Sequence, residues 1–113
     1  MKRSKITQTR NEIEKAISRL VECAREYSCG EELLERFGCY VTVEFDVTED
    51  EFRRVEVSDV SVSKGERGYP NIEDFVFCEL CKRLDEMNSE NENDYLETLS
   101  VSERREYYSW LSA

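Results

Sequence analysis

The sequence contains no histidine, and only one proline and four glycines in 113 residues. The missing histidine excludes the most. It is the side chain whose unperturbed pKa suits proton transfer at neutral pH, and the usual partner that activates a serine or cysteine nucleophile. A Cys/His zinc site goes with it, leaving all-Cys or Cys/carboxylate sets. No pair of acids stands out by spacing as a catalytic couple, so the chain is expected not to be an enzyme and to carry no cofactor. No segment approaches the roughly 20 apolar residues that span a bilayer, and no membrane contact is expected. The start, MKRSKITQTRNEIEK, has the basic residues of a signal peptide but no apolar core behind them. Five cysteines, an odd number, cannot all pair. A reducing, cytoplasmic location is the simplest expectation.

What is present is enough for one domain over 1–113. Hydrophobic residues make up 39% and aromatics 11%, which argues for a modest core rather than a disordered tail. Residues 1–5 are expected to be flexible, with loops at 64–71 and 88–93. The net charge of -10 is unevenly placed. Residues 1–37 carry eight Lys/Arg against seven Asp/Glu (net +1), residues 38–71 four against eight (net -4), and residues 72–113 four against eleven (net -7). Such a C-terminal half would repel phosphates, so direct nucleic-acid binding is disfavoured.

Ile6, Ile13, Leu20, Tyr27 and Leu34 recur every seven residues, flanked by Ala16, Ile17, Val21, Cys23 and Ala24. At about 100° per residue they share one broad arc, opposite Glu12, Lys15, Ser18, Arg19, Glu22 and Glu26. This predicts an amphipathic helix to about Tyr27. The SCGE of 28–31 then reads as a break, with Ser28 and Glu31 in a capping-box pattern. A last helical turn or two follows, closed by Gly38. The arc is wider than a two-position coiled-coil seam. It reads as a core face, with a homodimer through this N-terminal helix as the alternative.

In CYVTVEFDV (39–47), Val41, Val43, Phe45 and Val47 alternate with polar residues, the pattern of a half-buried strand. TEDE (48–51) is its turn. In 52–63, Val55 and Val57 have one parity and Val60 and Val62 the other. Either a bulge near Ser58–Asp59 keeps all four on one side, or there are two short strands. KGERGYP (64–70) is the loop, Asn71 an N-cap, and a helix runs to about Met87. NSENEND is a polar linker. Tyr95, Leu96 and Leu99 form a short turn, and Ser100 with Glu103 caps a final helix. The order predicts the α+β class: an antiparallel β-hairpin of two or three strands, packed on one face by the long N-terminal helix and two C-terminal helices.

Four features invite a functional reading. Cys78 and Cys81 form a CxxC, but it lies inside a helix rather than in a zinc knuckle. With Ile72 at 0°, Cys81 falls at about 180°, on the edge of the core stripe of Val76, Phe77, Leu80 and Leu84, and Cys78 at about 240°, on the polar side. A metal or redox site would need Cys23, Cys29 or Cys39 nearby; two incidental cysteines are the better reading. The acids Glu44, Asp46, Glu49, Asp50 and Glu51 lack the glycine and spacing of a calcium loop and read as a solvated hairpin tip. KGERGY has neither Walker nor dinucleotide spacing. Tyr107 and Trp110 are the best interaction hint, since Tyr and Trp are enriched at interfaces; packing over a small core is the equal alternative.

These features predict a small acidic non-enzymatic interaction or regulatory module with a protein partner, a basic one by charge complementarity. The first alternative is a DNA-mimicking or immunity-type inhibitor of a basic nucleic-acid-binding protein. It requires acids in 73–106 that are not interrupted by Lys82, Arg83, Arg104 and Arg105. The second alternative is a cysteine-based metal or redox protein.

Overall fold

The computed structural model describes the backbone of residues 2–112 and the side chains of residues 9–112. The expectations for Ile6 and for flexibility at 1–5 lie outside the described side chains. Along the chain run α1 (Lys2–Glu26), β1 (Cys29–Leu34), β2 (Cys39–Glu49), β3 (Arg53–Lys64), β4 (Arg67–Gly68), α2 (Pro70–Glu97) and α3 (Val101–Ser112). The class is α+β. The sheet has four strands rather than two or three, all antiparallel, in the order β1-β2-β3-β4.

The extra strand is the segment read as the end of the first helix. α1 closes with the Tyr27 N–H on Cys23 O, and the chain then reverses. Two contacts of the Arg53 side chain hold the reversal: its Nε donates to Ala24 O and its Nη2 to Tyr27 O, both at 3.1 Å. CGEELL then alternates, with Gly30, Glu32 and Leu34 turned inward and Cys29, Glu31 and Leu33 outward. Gly30 is required where β1 passes under α1. A Cβ there would lie 2.9 Å from Leu20 Cδ2 and 3.2 Å from Cys23 Cβ. Gly38, at φ 62°, is left-handed as expected, but it closes the turn between β1 and β2 rather than a helix.

Residues 53–64 form one strand with a bulge. Glu44 faces Asp59 and Phe45 faces Val57, so Ser58 is the unpaired extra residue. The bulge restores the parity of Val60 and Val62, which are buried with Val55, while Val57 is half-buried. The expected loop at 64–71 is shorter: Lys64 pairs with Arg67 across a two-residue turn, and Gly65 supplies its positive φ. The helix begins at Pro70, in N1, with Tyr69 rather than Asn71 at the N-cap. A proline in N1 loses no helical bond.

The 88–93 linker is absent; α2 is continuous through it. The reason is Asn88. Its Oδ1 accepts from Val55 N–H at 2.9 Å and its Nδ2 donates to Val55 O at 2.8 Å. One turn on, Asn91 Nδ2 donates to Arg53 O at 2.9 Å. These amides do for the β3 edge what a neighbouring strand would do. The polar residues are therefore the contact and not a break.

Ile13, Ala16, Ile17, Leu20 and Ala24 of α1 and Val76, Leu80, Leu84 and Met87 of α2 close over the inward residues of β1 to β3. The apolar arc of α1 is thus spent on the core, as a core face requires. Phe77, expected in the α2 stripe, is 43% exposed, while Ile72 and Phe75 pack against the cluster instead. Neither α1 nor α2 covers the opposite face of the sheet, whose described residues are exposed apart from the half-buried Ser63, and α3 reaches it only beside Thr48 and Arg54. Contrary to the expectation that both C-terminal helices pack on the sheet, α3 does not join the helical layer over it. It packs at the end of α2.

Candidate interaction surface

α3 is built by a short corner and a capping box. Ser100 N–H donates to Glu103 Oε1 at 3.2 Å and Glu103 N–H to Ser100 Oγ at 3.3 Å, as the sequence predicts. The Ser100 hydroxyl first, and its backbone N–H second, hold the Glu103 carboxyl below the usual carboxylate range. Arg104 Nε donates to Leu96 O at 2.7 Å, a carbonyl at the end of α2 that also accepts from Leu99 N–H at 3.1 Å.

Tyr107 anchors the helix. It is 9% exposed and meets the Tyr95 ring edge-on at 5.7 Å between centroids; Tyr95 in turn lies 6.0 Å from Phe52. The Tyr107 hydroxyl donates to Glu92 Oε2 at 3.2 Å, and Arg54 Nη2 reaches the same oxygen at 3.3 Å. Burial first, and the Glu92 carboxylate second, push the Tyr107 phenol above its ordinary pKa.

Only Tyr107 of α3 is buried. Trp110 is 66% and Val101 70% exposed, and Tyr108 and Leu111 are about half exposed. Two shallow depressions of about 240 and 260 Å³ flank the indole, both lined by Tyr107 and Trp110. Glu51, Glu103 and Glu106 border the first, and Asp50, Glu51 and Arg54 the second. The two residues named from the sequence therefore sit together but differ: Tyr107 is the anchor and Trp110 the exposed surface. Phe52, Tyr95 and Glu92, which complete the setting, carry no local sequence signal. They are 12 to 55 positions from Tyr107 and meet it only through the fold.

Cys78 is exposed and Cys81 half-buried, the orientation that helical geometry predicts. All five thiols are free, and Cys23, Cys29 and Cys39 lie on α1, β1 and β2. Among the described residues no group of three or more His, Cys, Asp or Glu is placed to hold a metal ion. The thiols of Cys81 and Cys39 are both pushed up, mainly by burial. The five acids of 44–51 do not act as one cluster. Glu44 and Asp46 point outward from the sheet, Glu49 pairs with Arg53 at 2.6 Å, and Asp50 and Glu51 border the Trp110 depressions. On α2, Arg83 lies 3.9 Å from Glu79, so the acids there are interrupted by cations. Among the described residues no helix is long and apolar enough to cross a membrane. Comparison with protein-family models, curated proteins and solved structures finds no match.

Proposed function

We propose that the protein is a non-catalytic interaction module whose C-terminal helix docks into an apolar cleft of a basic partner protein. One observation carries the reading: α3 places Trp110, Leu111, Tyr108 and Val101 in solvent, while Tyr107 is the one residue of the helix that is buried. Helix-in-groove recognition reads one helix face. At about 100° per residue Trp110 lies on one side of Tyr107 and the Val101, Tyr108 and Leu111 stripe on the other, so the groove engages α3 through the indole side or the stripe. The carboxylates of Asp50, Glu51, Glu103 and Glu106 around the indole favour a cleft with a positive rim.

The test compares affinity capture by the intact chain and by Trp110→Ala at low and high salt. The substitution leaves the melting temperature unchanged, because the indole is exposed. A partner is expected that the intact chain retains, that the variant loses by about 30-fold or more, as hot-spot truncations do, and that salt weakens. Release of that partner by duplex DNA would assign it to the nucleic-acid-binding class. Identical capture by both chains, or none at any salt, refutes the proposal.

A further inference from the structure

We propose that the free edge of β1 docks an extended, Lys- or Arg-bearing segment of a partner protein, which adds to the sheet as a fifth strand. The two edges of this sheet differ. Towards both ends of β3 outward backbone groups have partners, while those of Val57 and Val60, beside the bulge, have none among the described residues. β4 pairs with Ser63 and Lys64, Tyr69 N–H donates to Val62 O, Asn88 takes both groups of Val55, and Asn91 takes Arg53 O. At β1 the register decides which groups look outward. Phe45 N–H donates to Ser28 O. In an antiparallel ladder hydrogen-bonded pairs alternate, so the next are Gly30–Val43 and Glu32–Val41. Cys29, Glu31 and Leu33 therefore turn their N–H and C=O away from β2. No described residue bonds to these groups. An open row of this kind is the template for strand addition.

Charge names the occupant. On the outward face Glu31 lies on the edge strand itself, Glu44 and Asp46 on β2 and Glu56 and Asp59 on β3, while at the Leu33 end Lys15, Arg19 and Arg36 stand beside Glu12 and Glu35. Glu44 stands directly opposite Asp59, and Asp46 opposite Glu56. Like charges in opposed positions weaken a ladder, and a cationic strand alongside would offset them. Arg54, the outward cation of β3, turns to Glu92 instead. Leu33 and Tyr40 are cross-strand neighbours, 39% and 48% exposed, and give an apolar contact for the incoming strand. A second copy of the chain fits poorly. The two in-phase antiparallel registers that overlap most of β1 set Glu31 or Glu32 against its own counterpart. This surface lies on different elements from α3 and does not depend on it.

The probe is an eight-residue peptide of alternating Lys and Val, with Glu replacing Lys in the control, added to the full chain. Binding is expected to slow amide exchange at Cys29, Glu31 and Leu33 at least tenfold, to weaken with salt, and to be absent with the control. Leu33→Pro removes one outward N–H and no bond to β2, and is expected to lower affinity tenfold or more with unchanged helical circular dichroism. Glu31→Lys keeps the backbone intact and is expected to weaken binding severalfold, which preserves the test if the proline variant misfolds. Trp110→Ala is expected to bind the peptide as the intact chain does. Unchanged exchange at the three amides overturns the proposal, as does protection confined to α3. So does protection that rises with protein concentration and no peptide, which makes a second copy the occupant.

Discussion

Replacing Asn88 by alanine is the sharpest test of how the fold closes. Asn88 is 8% exposed and makes both of its bonds to Val55, which is fully buried. Alanine leaves one backbone N–H and one C=O without partners beneath α2. Each orphaned buried group costs about 1–3 kcal/mol. Alanine's better helix propensity returns about 0.5 kcal/mol, and water admitted to the edge recovers some more. The expected net loss is about 2–4 kcal/mol, a large share of the roughly 5–15 kcal/mol that holds a domain together. At about 4 °C per kcal/mol for a chain of this length, the melting temperature falls by roughly 8–16 °C.

Urea denaturation followed by circular dichroism reads the loss, and amide exchange at Val55 locates it. Asn88→Asp separates hydrogen bonding from shape. The carboxylate can accept from Val55 N–H but cannot donate to Val55 O, and it places a charge in a dry site. It is expected to cost at least as much as alanine at neutral pH and to recover in part at acid pH, where the protonated carboxyl can donate. Asn91→Ala, which removes one bond at a half-buried position, is expected to cost about 1 kcal/mol. A change below about 0.5 kcal/mol for Asn88→Ala would refute the view that its amide substitutes for a strand.

Three further outcomes follow from the surface and the thiols. Glu44→Lys turns the Glu44–Asp59 opposition into an attractive pair and is expected to raise stability by about 0.2–1 kcal/mol at low salt, less at high salt; a loss in the denaturation midpoint would count against it. In the native protein Cys29 and Cys78 are exposed and should react first with a thiol reagent, while Cys81 lags and Cys39 waits for unfolding, because burial raises both thiols; mass-resolved labelling reads the order. Tyr107 has a folded pKa above its unfolded value, so its contribution is complete below the unfolded pKa and is lost as pH rises through the folded one. Trp110 fluorescence should therefore report release of α3 in the alkaline range, with Glu92→Gln moving the transition to lower pH.

Elements with one dominant periodicity were legible in the sequence. The apolar arc ending at Ala24, the alternation of 41–47, the parity change that demands a bulge at Ser58, and the Ser100–Glu103 box each depend on near neighbours. β1 was not legible, because CGEELL has no such dominance. Leu34 continues the heptad of α1, and Glu and Leu favour helices. What makes it a strand is the ladder with β2 and the clearance over Gly30, both long-range. The same cause hid 88–97. NSENEND resembles a linker because its asparagines are polar, and two of them, Asn88 and Asn91, bond to a strand more than thirty positions earlier.

The treatment of the two edges connects fold to function. A domain that only needed solubility could blunt an open edge with proline, a bulge or lysine. This chain places its one bulge in β3, opposite β2, and its one proline at the start of α2. It spends two asparagines on the β3 edge. β1 instead presents glutamates on both faces, which oppose pairing with another copy and leave the edge open to a cationic strand. The directly opposed acids on the sheet reinforce that selection at some cost in stability. The core lies on the other side, so none of these charges is needed to specify the fold. Where folding does not require a surface to be acidic, its charge pattern is set by what it must attract or repel.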